Sequence, residues 1–146
     1  MKISWTSLKV SIAGAKLSHL VQKDRIWDHG SMTEQVRIAF HVVLKAKNSE
    51  NSELLKKYCT ISCFEKFKTA MNKKEQKQDI FKESPIIKKL AVIDVHPGKH
   101  NRPDKFTALI KGDSKNDMIT KSYKNKFSIQ WSFVRQGDWW VLNAIK

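Results

Sequence analysis

The C-terminal stretch FSIQWSFVRQGDWWVLNAIK constrains the fold more than any other part of the chain. Apolar and polar residues alternate from Phe127 to Phe133, which is the two-residue period of a strand with one buried face. Gly137-Asp138 interrupts the pattern, and a second apolar run follows to Ile145. Because glycine and aspartate tolerate the backbone conformations of tight turns, the stretch predicts a β-hairpin with a two-residue loop.

The length of this loop determines which residues of the two strands face each other. The predicted cross-strand pairs are Phe133–Leu142, Trp131–Ala144 and Arg135–Trp140. One face of the hairpin is then aromatic and buried, whereas the other face carries small polar residues followed by Trp139, Val141 and Ile145. The residues expected on the buried, helix-facing side of the sheet are Phe106, Ile110, Phe127, Ile129, Trp131, Phe133 and Leu142.

Helical periodicity precedes this hairpin in the first half of the chain. Ser31 or Thr33 is expected to cap a helix that continues to Lys47, because both side chains accept hydrogen bonds from the free N–H groups of a first turn. A second helix is expected from Glu53 to Met71, with a break at residues 60–62 as the alternative.

Strand periodicity begins after Pro85. Residues 86–95 and 106–111 are predicted strands, separated by a loop that contains two prolines and a glycine. Together with the hairpin, they give an antiparallel sheet of about four strands. Helices followed by such a sheet predict an α+β fold, and the length of 146 residues suits a single hydrophobic core.

The N-terminal residues 1–25 are predicted to form a basic amphipathic helix. Its lysines recur every seven residues, and no acidic residue occurs among the first 23. The apolar residues Trp5, Leu8, Ile12 and Ala15 follow helical spacing. Such a helix suits an anionic membrane surface or a docking partner, and a helix folded back on its own domain is the alternative. The lysines of this basic surface are Lys2, Lys9, Lys16 and Lys23.

The net charge of +14 indicates an affinity for phosphate-rich surfaces, although a lysine-rich surface can also serve solubility alone. Of the 28 basic residues only four are arginines, and arginine supplies most of the bidentate contacts by which proteins read bases. Nucleic acid is therefore a less expected partner than an anionic membrane.

The sequence contains no pattern typical of a cofactor or metal site. Cys59 and Cys63 lie four residues apart, and we interpret them as small core side chains on one helix face rather than as a disulfide or metal pair. His96 and His100 flank a Pro-Gly turn, but no third ligand follows at a typical spacing. There is also no glycine-rich phosphate loop, so no cofactor and no metal is expected. No apolar run approaches the roughly 20 residues that span a bilayer.

Three segments together resemble a known family: IWDHGSMTEQVRIAFHVVLKAKNSENSELLKKYCTISCFEKFK, DKFTALIKGD and FSIQWSFVRQGDWWVLNAI. They are similar to the domain shared by the inner-membrane import translocase subunit 44 of mitochondria and related bacterial proteins, within the nuclear transport factor 2-like superfamily. The family's last hairpin carries a W-x-F-x-R strand and a W-x-L strand, which correspond here to Trp131, Phe133, Arg135, Trp140 and Leu142. The resemblance implies a cone-shaped domain over residues 26–146. The segment before Ile26 matches neither the matrix linker nor the membrane anchor of such proteins, so the helix of residues 1–25 is expected as a separate unit.

Relatives use such a cone for catalysis, ligand binding or docking, so the fold does not decide the function. The candidates for lining its pocket are His41, Asp94, His96, Trp131, Phe133 and Trp140. An isomerase or dehydratase would need an aspartate or histidine in the cone as general base. Asp94 and His96 lie where a strand passes into a loop, where polar residues are common, and no residue is assigned a catalytic role.

The interpretation that we prefer is a non-enzymatic docking module, membrane-peripheral through its basic surface and bound to a protein partner. A small-ligand-binding or catalytic pocket is the first alternative, and a ribosome- or RNA-associated protein is the second. A homodimer through the sheet, or the N-terminal helix, is expected to cover the face that carries Trp139. The expected location is the cytoplasm or a membrane surface of a bacterium, with an organellar matrix as alternative.

Overall fold

The computed structural model describes residues 4–72, 85–99, 101–115 and 124–145. Within these residues the helices are α1 (Trp5–Leu20), α2 (His29–Asn48) and α3 (Ile61–Asn72), with 3₁₀ turns at Arg25–Trp27 and Ser52–Leu55. The strands are β1 (Ile86–His96), β2 (Lys105–Lys115), β3 (Lys124–Gln136) and β4 (Trp139–Ile145). They form one antiparallel sheet in the order β1-β2-β3-β4. The predicted α+β class, with helices packed on a four-stranded antiparallel sheet, is confirmed.

Helix α2 is the long helix that packs on the sheet. Its buried residues follow the 3–4 spacing of a single helix face: Met32, Val36, Ala39, Phe40, Val43 and Ala46. The cap is Asp28, whose carboxylate accepts hydrogen bonds from the backbone N–H and the hydroxyl of Ser31, both at 2.9 Å. The predicted cap at Ser31 or Thr33 is wrong, because an aspartate three residues upstream is better placed to accept from the first turn.

The segment predicted as a second long helix is divided. Residues Ser52–Leu55 form a 3₁₀ turn, and the chain then runs beside β4. There Thr60 donates its N–H to the Leu142 carbonyl at 2.9 Å, and Leu142 donates to the carbonyl of Tyr58 at 2.8 Å. Helix α3 begins only at Ile61, where the Thr60 hydroxyl caps the first turn. Pairing with a distant strand therefore overrides the helical pattern at this point.

The aromatic core lies between α2 and the face of the sheet turned toward it. The Phe40 ring centroid lies 5.7 Å from that of Trp131 and 6.4 Å from that of Phe127. Phe106 and Phe133 stack at 5.0 Å. The predicted buried set is confirmed: Phe106, Ile110, Phe127, Trp131, Phe133 and Leu142 are buried, and Ile129 is partly buried against them.

The closing hairpin has the predicted two-residue turn, in which Gly137 adopts a φ of 65°. The pairs Phe133–Leu142 and Arg135–Trp140 are confirmed, whereas Trp131 lies opposite Ile145 rather than Ala144. A β-bulge between Ser132 and Phe133 causes the difference, because the extra residue shifts the register of everything farther from the turn.

Helix α1 packs against β1, at the edge of the sheet opposite β4, and buries Ala13 and Leu17 in the main core. We call the side of the sheet turned away from α2 the outer face. On this face a small second cluster is formed by Val10, Ala91, Ile93 and Leu109. The N-terminal helix is therefore folded onto its own domain, which was the alternative to a free helix.

Candidate functional site

One side of α1 exposes several large apolar side chains to solvent. The relative exposure of Trp5 is 71%, that of Leu8 is 42% and that of Ile12 is 51%. These residues lie at positions i, i+3 and i+7, so they share one side of the helix. Because α1 buries Ala13 and Leu17 on its packed side, the helix is apolar on two sides, and the described residues cover only one of them.

Two lysines lie on the same exposed side. Lys9 and Lys16 follow Trp5 at i+4 and i+11, and the Lys9 ammonium lies 5.9 Å from the centroid of the Trp5 ring. Lys23 is exposed in the turn after α1, and Lys2 lies outside the described residues. We define the exposed face of α1 as Trp5, Leu8, Lys9, Ile12 and Lys16. It combines apolar side chains with positive charge and contains no acid.

A second feature is the group of polar contacts around Arg135, which connects the turn after α1 to the C-terminal hairpin. Its Nη1 donates to the carboxylates of Asp24 at 2.6 Å and Asp104 at 3.2 Å, and its Nε donates to the Gly137 carbonyl at 2.8 Å. The hydrogen bond from Arg135, supported by the Ile26 backbone N–H, lowers the pKa of Asp24. The same ion pairs, first that with Asp24, raise the pKa of Arg135.

A cleft of about 340 Å³ opens beside this arginine, between the Arg25–Trp27 turn, the start of α2 and the hairpin. Its lining residues are Asp24, Arg25, Ile26, Ser31, Gln35, Arg135, Asp138, Trp139 and Trp140. Trp140 donates its indole N–H to the Ile26 carbonyl at 3.1 Å and packs edge-on against Trp27. The volume is near the lower end for small-molecule sites, and the carboxylate of Asp24 is already paired, so the cleft lacks a poised general base there.

The predicted pocket residues are dispersed in the structure. Trp131 and Phe133 are fully buried in the aromatic core, and Trp140 lines the cleft. His41 is exposed on α2. His96 Nε2 lies 3.0 Å from a carboxylate oxygen of Asp94, and both side chains are at least half exposed. The geometry therefore does not bring the histidines and Asp94 to the cleft.

Both cysteines are buried and free, as expected for core side chains. Cys59 lies in the extended segment beside β4 rather than on a helix, so the prediction of a shared helix face is wrong. A hydrogen bond with the Cys63 thiol, together with burial, raises the pKa of Cys59. The described residues contain no group of three or more side chains suited to hold a metal ion. Among them, no helix combines the length and apolar character needed to cross a membrane.

Sequence reasoning did not single out the partners of Arg135. Asp24 lies 111 residues from it and Asp104 lies 31 residues from it, and neither spacing produces a local pattern. It also grouped Trp5, Leu8 and Ile12 as an apolar face without showing that the helix packs through its other side. Val10, Ala13 and Leu17 follow helical spacing on a second side, which is the side that packs in the structure.

The face of the hairpin that carries Trp139 is partly covered within the chain. The Trp139 ring packs against Tyr58 at 5.5 Å and Val141 is buried. Ile145 was expected on this face, but the register shift pairs it with Trp131 on the helix-facing side, where it is 42% exposed. Helix α1 packs on β1, at the opposite edge of the sheet, rather than on β4. A homodimer through this face stays a prediction.

The family motifs hold structural positions in the hairpin. Trp131 and Phe133 lie in the core, Arg135 makes the ion pairs, and Trp140 with Leu142 faces α2 or its adjoining turn. These roles support a fold rather than an activity, and the resemblance to the translocase subunit 44 domain stays a prediction. Comparisons with protein-family models, curated proteins and solved structures gave no match for this chain.

Proposed function

We propose that this protein is a non-enzymatic docking module that attaches to anionic membrane surfaces through the exposed face of α1. The observation that carries the proposal is the exposure of Trp5, Leu8 and Ile12 beside Lys9 and Lys16 on a helix held against β1. Tryptophan favours the membrane interface, and lysine keeps its ammonium among the headgroups while its stem lies along apolar surface.

Charge complementarity selects the membrane as the occupant of this face. The protein carries a net charge of +14, and residues 4–23 contain no acid. Each lysine near an anionic surface contributes on the order of 1 kcal/mol, and partial burial of the apolar side chains adds a similar amount per residue. The sum gives reversible attachment, the strength expected of an interfacial helix without a covalent lipid.

The translocase subunit 44-like, cone-shaped domain of residues 26–146 is part of the same proposal. In such an arrangement α1 fixes the domain at the membrane, and the cleft beside Arg135 remains available to a protein partner. The charges of Asp24 and Arg135 are paired, and no histidine is among the described residues that line the cleft. Both observations support docking over catalysis.

The test is co-flotation with phosphatidylcholine vesicles that contain about 30% phosphatidylglycerol, compared with vesicles of pure phosphatidylcholine. The parent protein should float with the anionic vesicles and not with the neutral ones. Trp5→Ser/Ile12→Ser should weaken the partition by roughly tenfold or more, because each side chain loses the gain from leaving water. Thermal unfolding should be unchanged, since both side chains are mostly exposed in the folded protein.

Ile61→Ser is the matched control, because Ile61 is an apolar residue with 83% exposure at the start of α3. It should leave flotation unchanged. If the parent protein does not float with anionic vesicles, the membrane proposal is refuted. An equal loss of flotation for Ile61→Ser would show that binding does not depend specifically on the exposed face of α1.

A further inference from the structure

The outer face of the sheet carries a pair of lysines that are directly opposite each other. Lys89 of β1 pairs with Lys111 of β2, and both side chains are exposed. Ser128 of β3 continues the row. Within the described part of the chain, no acidic side chain forms an ion pair with either lysine.

Like charges that face each other across an antiparallel pair destabilise a sheet, because their Cβ atoms are only about 5 Å apart. The next row toward the start of β1 brings Asp113, which lies opposite Lys126 of β3. Among the described residues, no ion pair therefore offsets the repulsion between the two ammonium groups. Two neighbouring ammonium groups, each with exposed donors, match the charge of one phosphate group.

The lysine pair borders the place where α1 contacts the sheet. Ala91 and Leu109 form the adjacent row, two residues along each strand, and Val10 of α1 packs against them. Residues two apart on a strand share a face and are separated by roughly 7 Å. Lys89 and Lys111 thus lie one row from the helix whose other side carries Trp5 and Ile12.

We propose that Lys89 and Lys111 together bind the phosphate of an anionic phospholipid headgroup and so determine which side of the domain faces the membrane. This inference rests on the proposed attachment through α1 and adds a second contact on the sheet. A lipid fits better than a nucleic acid, because the neighbouring side chains of β3 are Ser128 and Gln130, which offer no ring for base stacking. The apolar face of α1 is close by and suits a bilayer surface.

The test compares two double variants that remove the same charge. Lys89→Gln/Lys111→Gln should lower the affinity for vesicles containing phosphatidylglycerol by roughly 30-fold, since each lysine at an anionic surface contributes a factor of about 5. Lys56→Gln/Lys57→Gln should lower it less than about threefold, because these exposed lysines lie beside β4, at the other edge of the sheet.

Stability supplies an independent readout. Removing the opposed lysines should leave the thermal midpoint unchanged or raise it, because the repulsion between them disappears. Lys89→Arg/Lys111→Arg should keep most of the affinity, since arginine also donates to phosphate.

If both double glutamine variants lose the same vesicle affinity, net charge alone explains the loss and the inference is overturned. A selective loss of binding to single-stranded RNA with vesicle binding intact would also overturn it, because that result would assign the pair to nucleic acid. If Trp5→Ser/Ile12→Ser abolishes flotation while Lys89→Gln/Lys111→Gln does not, only this inference fails. A parent that binds no anionic vesicle overturns both proposals.

Discussion

Arg135 shows how one side chain can connect segments that are distant in sequence. It joins the turn after α1, the β1–β2 loop and the hairpin through Asp24, Asp104 and the Gly137 carbonyl. Its backbone N–H also donates to the Asp104 carbonyl at 2.9 Å. Because the turn after α1 and the hairpin both line the cleft, these contacts make Arg135 part of the cleft wall rather than a free cation within it.

Arg135→Gln should lower the free energy of unfolding by about 1–2 kcal/mol at pH 7, an amount limited by the solvent exposure of the pair with Asp24. The lowered pKa of Asp24 means that its contribution is present above the carboxyl group's ordinary pKa of about 3.9 and is lost as the pH falls through the lower, folded value. The difference between parent and variant should therefore shrink below about pH 4. Urea denaturation at pH 7 and pH 3 measures it.

Arg37→Gln is the control for the loss of a positive charge, because Arg37 is exposed on α2. It should change the free energy of unfolding by less than about 0.5 kcal/mol at either pH. A variant of Arg135 as stable as the parent at pH 7 would show that the ion pairs do not hold these segments together.

Among the helices and strands, the sequence predicts best those whose apolar pattern reflects a single buried face. The alternation from Phe127 to Phe133 reflects a single buried face, and the structure places those side chains as expected. The hairpin pairs nearest the turn are also correct, because the turn sets them. The Trp131 partner is wrong, since a bulge leaves no trace in the apolar pattern.

Helices were harder to predict where the local structure depends on contacts with residues distant in the sequence. The Tyr58–Thr60 segment has a helical pattern, but its backbone hydrogen bonds go to Leu142 of β4. In α1 the apolar residues fall on two sides, and nothing local indicates which side meets the sheet. The cleft was not predictable either, because Asp24 and Arg135 lie 111 residues apart in the sequence.

The hairpin should be the most sensitive element to loss of volume. Phe133→Ala should lower the free energy of unfolding by about 3–5 kcal/mol, because the ring is fully buried and stacks on Phe106 at 5.0 Å. Ser128→Ala, on the outer face of the same strand, should change it by less than about 0.5 kcal/mol. Urea denaturation compares the two, and similar values would contradict the assigned inner and outer faces of β3.

At the scale of the whole molecule, the structure separates two kinds of surface. The exposed face of α1 and the Lys89–Lys111 pair lie at the β1 edge of the sheet, whereas the cleft lies at the hairpin that forms the β4 edge. A domain bound to a membrane through its β1 edge would therefore leave the cleft open to a further partner. In the proposed attachment, the net charge of +14 would attract the whole molecule to the surface, and the two local sites would determine how it is oriented.

Salt should separate the apolar and the electrostatic parts of membrane binding. Ions screen the lysines, since the screening length falls from about 10 Å at 0.1 M to about 3 Å at 1 M, but they do not weaken burial of Trp5 and Ile12. The affinity for anionic vesicles should therefore fall at least tenfold between 0.05 and 0.5 M salt and then level off. Vesicle titration followed by tryptophan emission measures both regimes.

The two double variants should change the vesicle affinity at different salt concentrations. Lys89→Gln/Lys111→Gln should lower the affinity at low salt and leave the high-salt level unchanged, because screening already removes the contribution of these lysines there. Trp5→Ser/Ile12→Ser should lower the high-salt level, since only apolar contact with the bilayer remains under those conditions. If the affinity of the parent continues to fall until no binding is left, attachment is purely electrostatic, and the apolar side of α1 must serve a different contact.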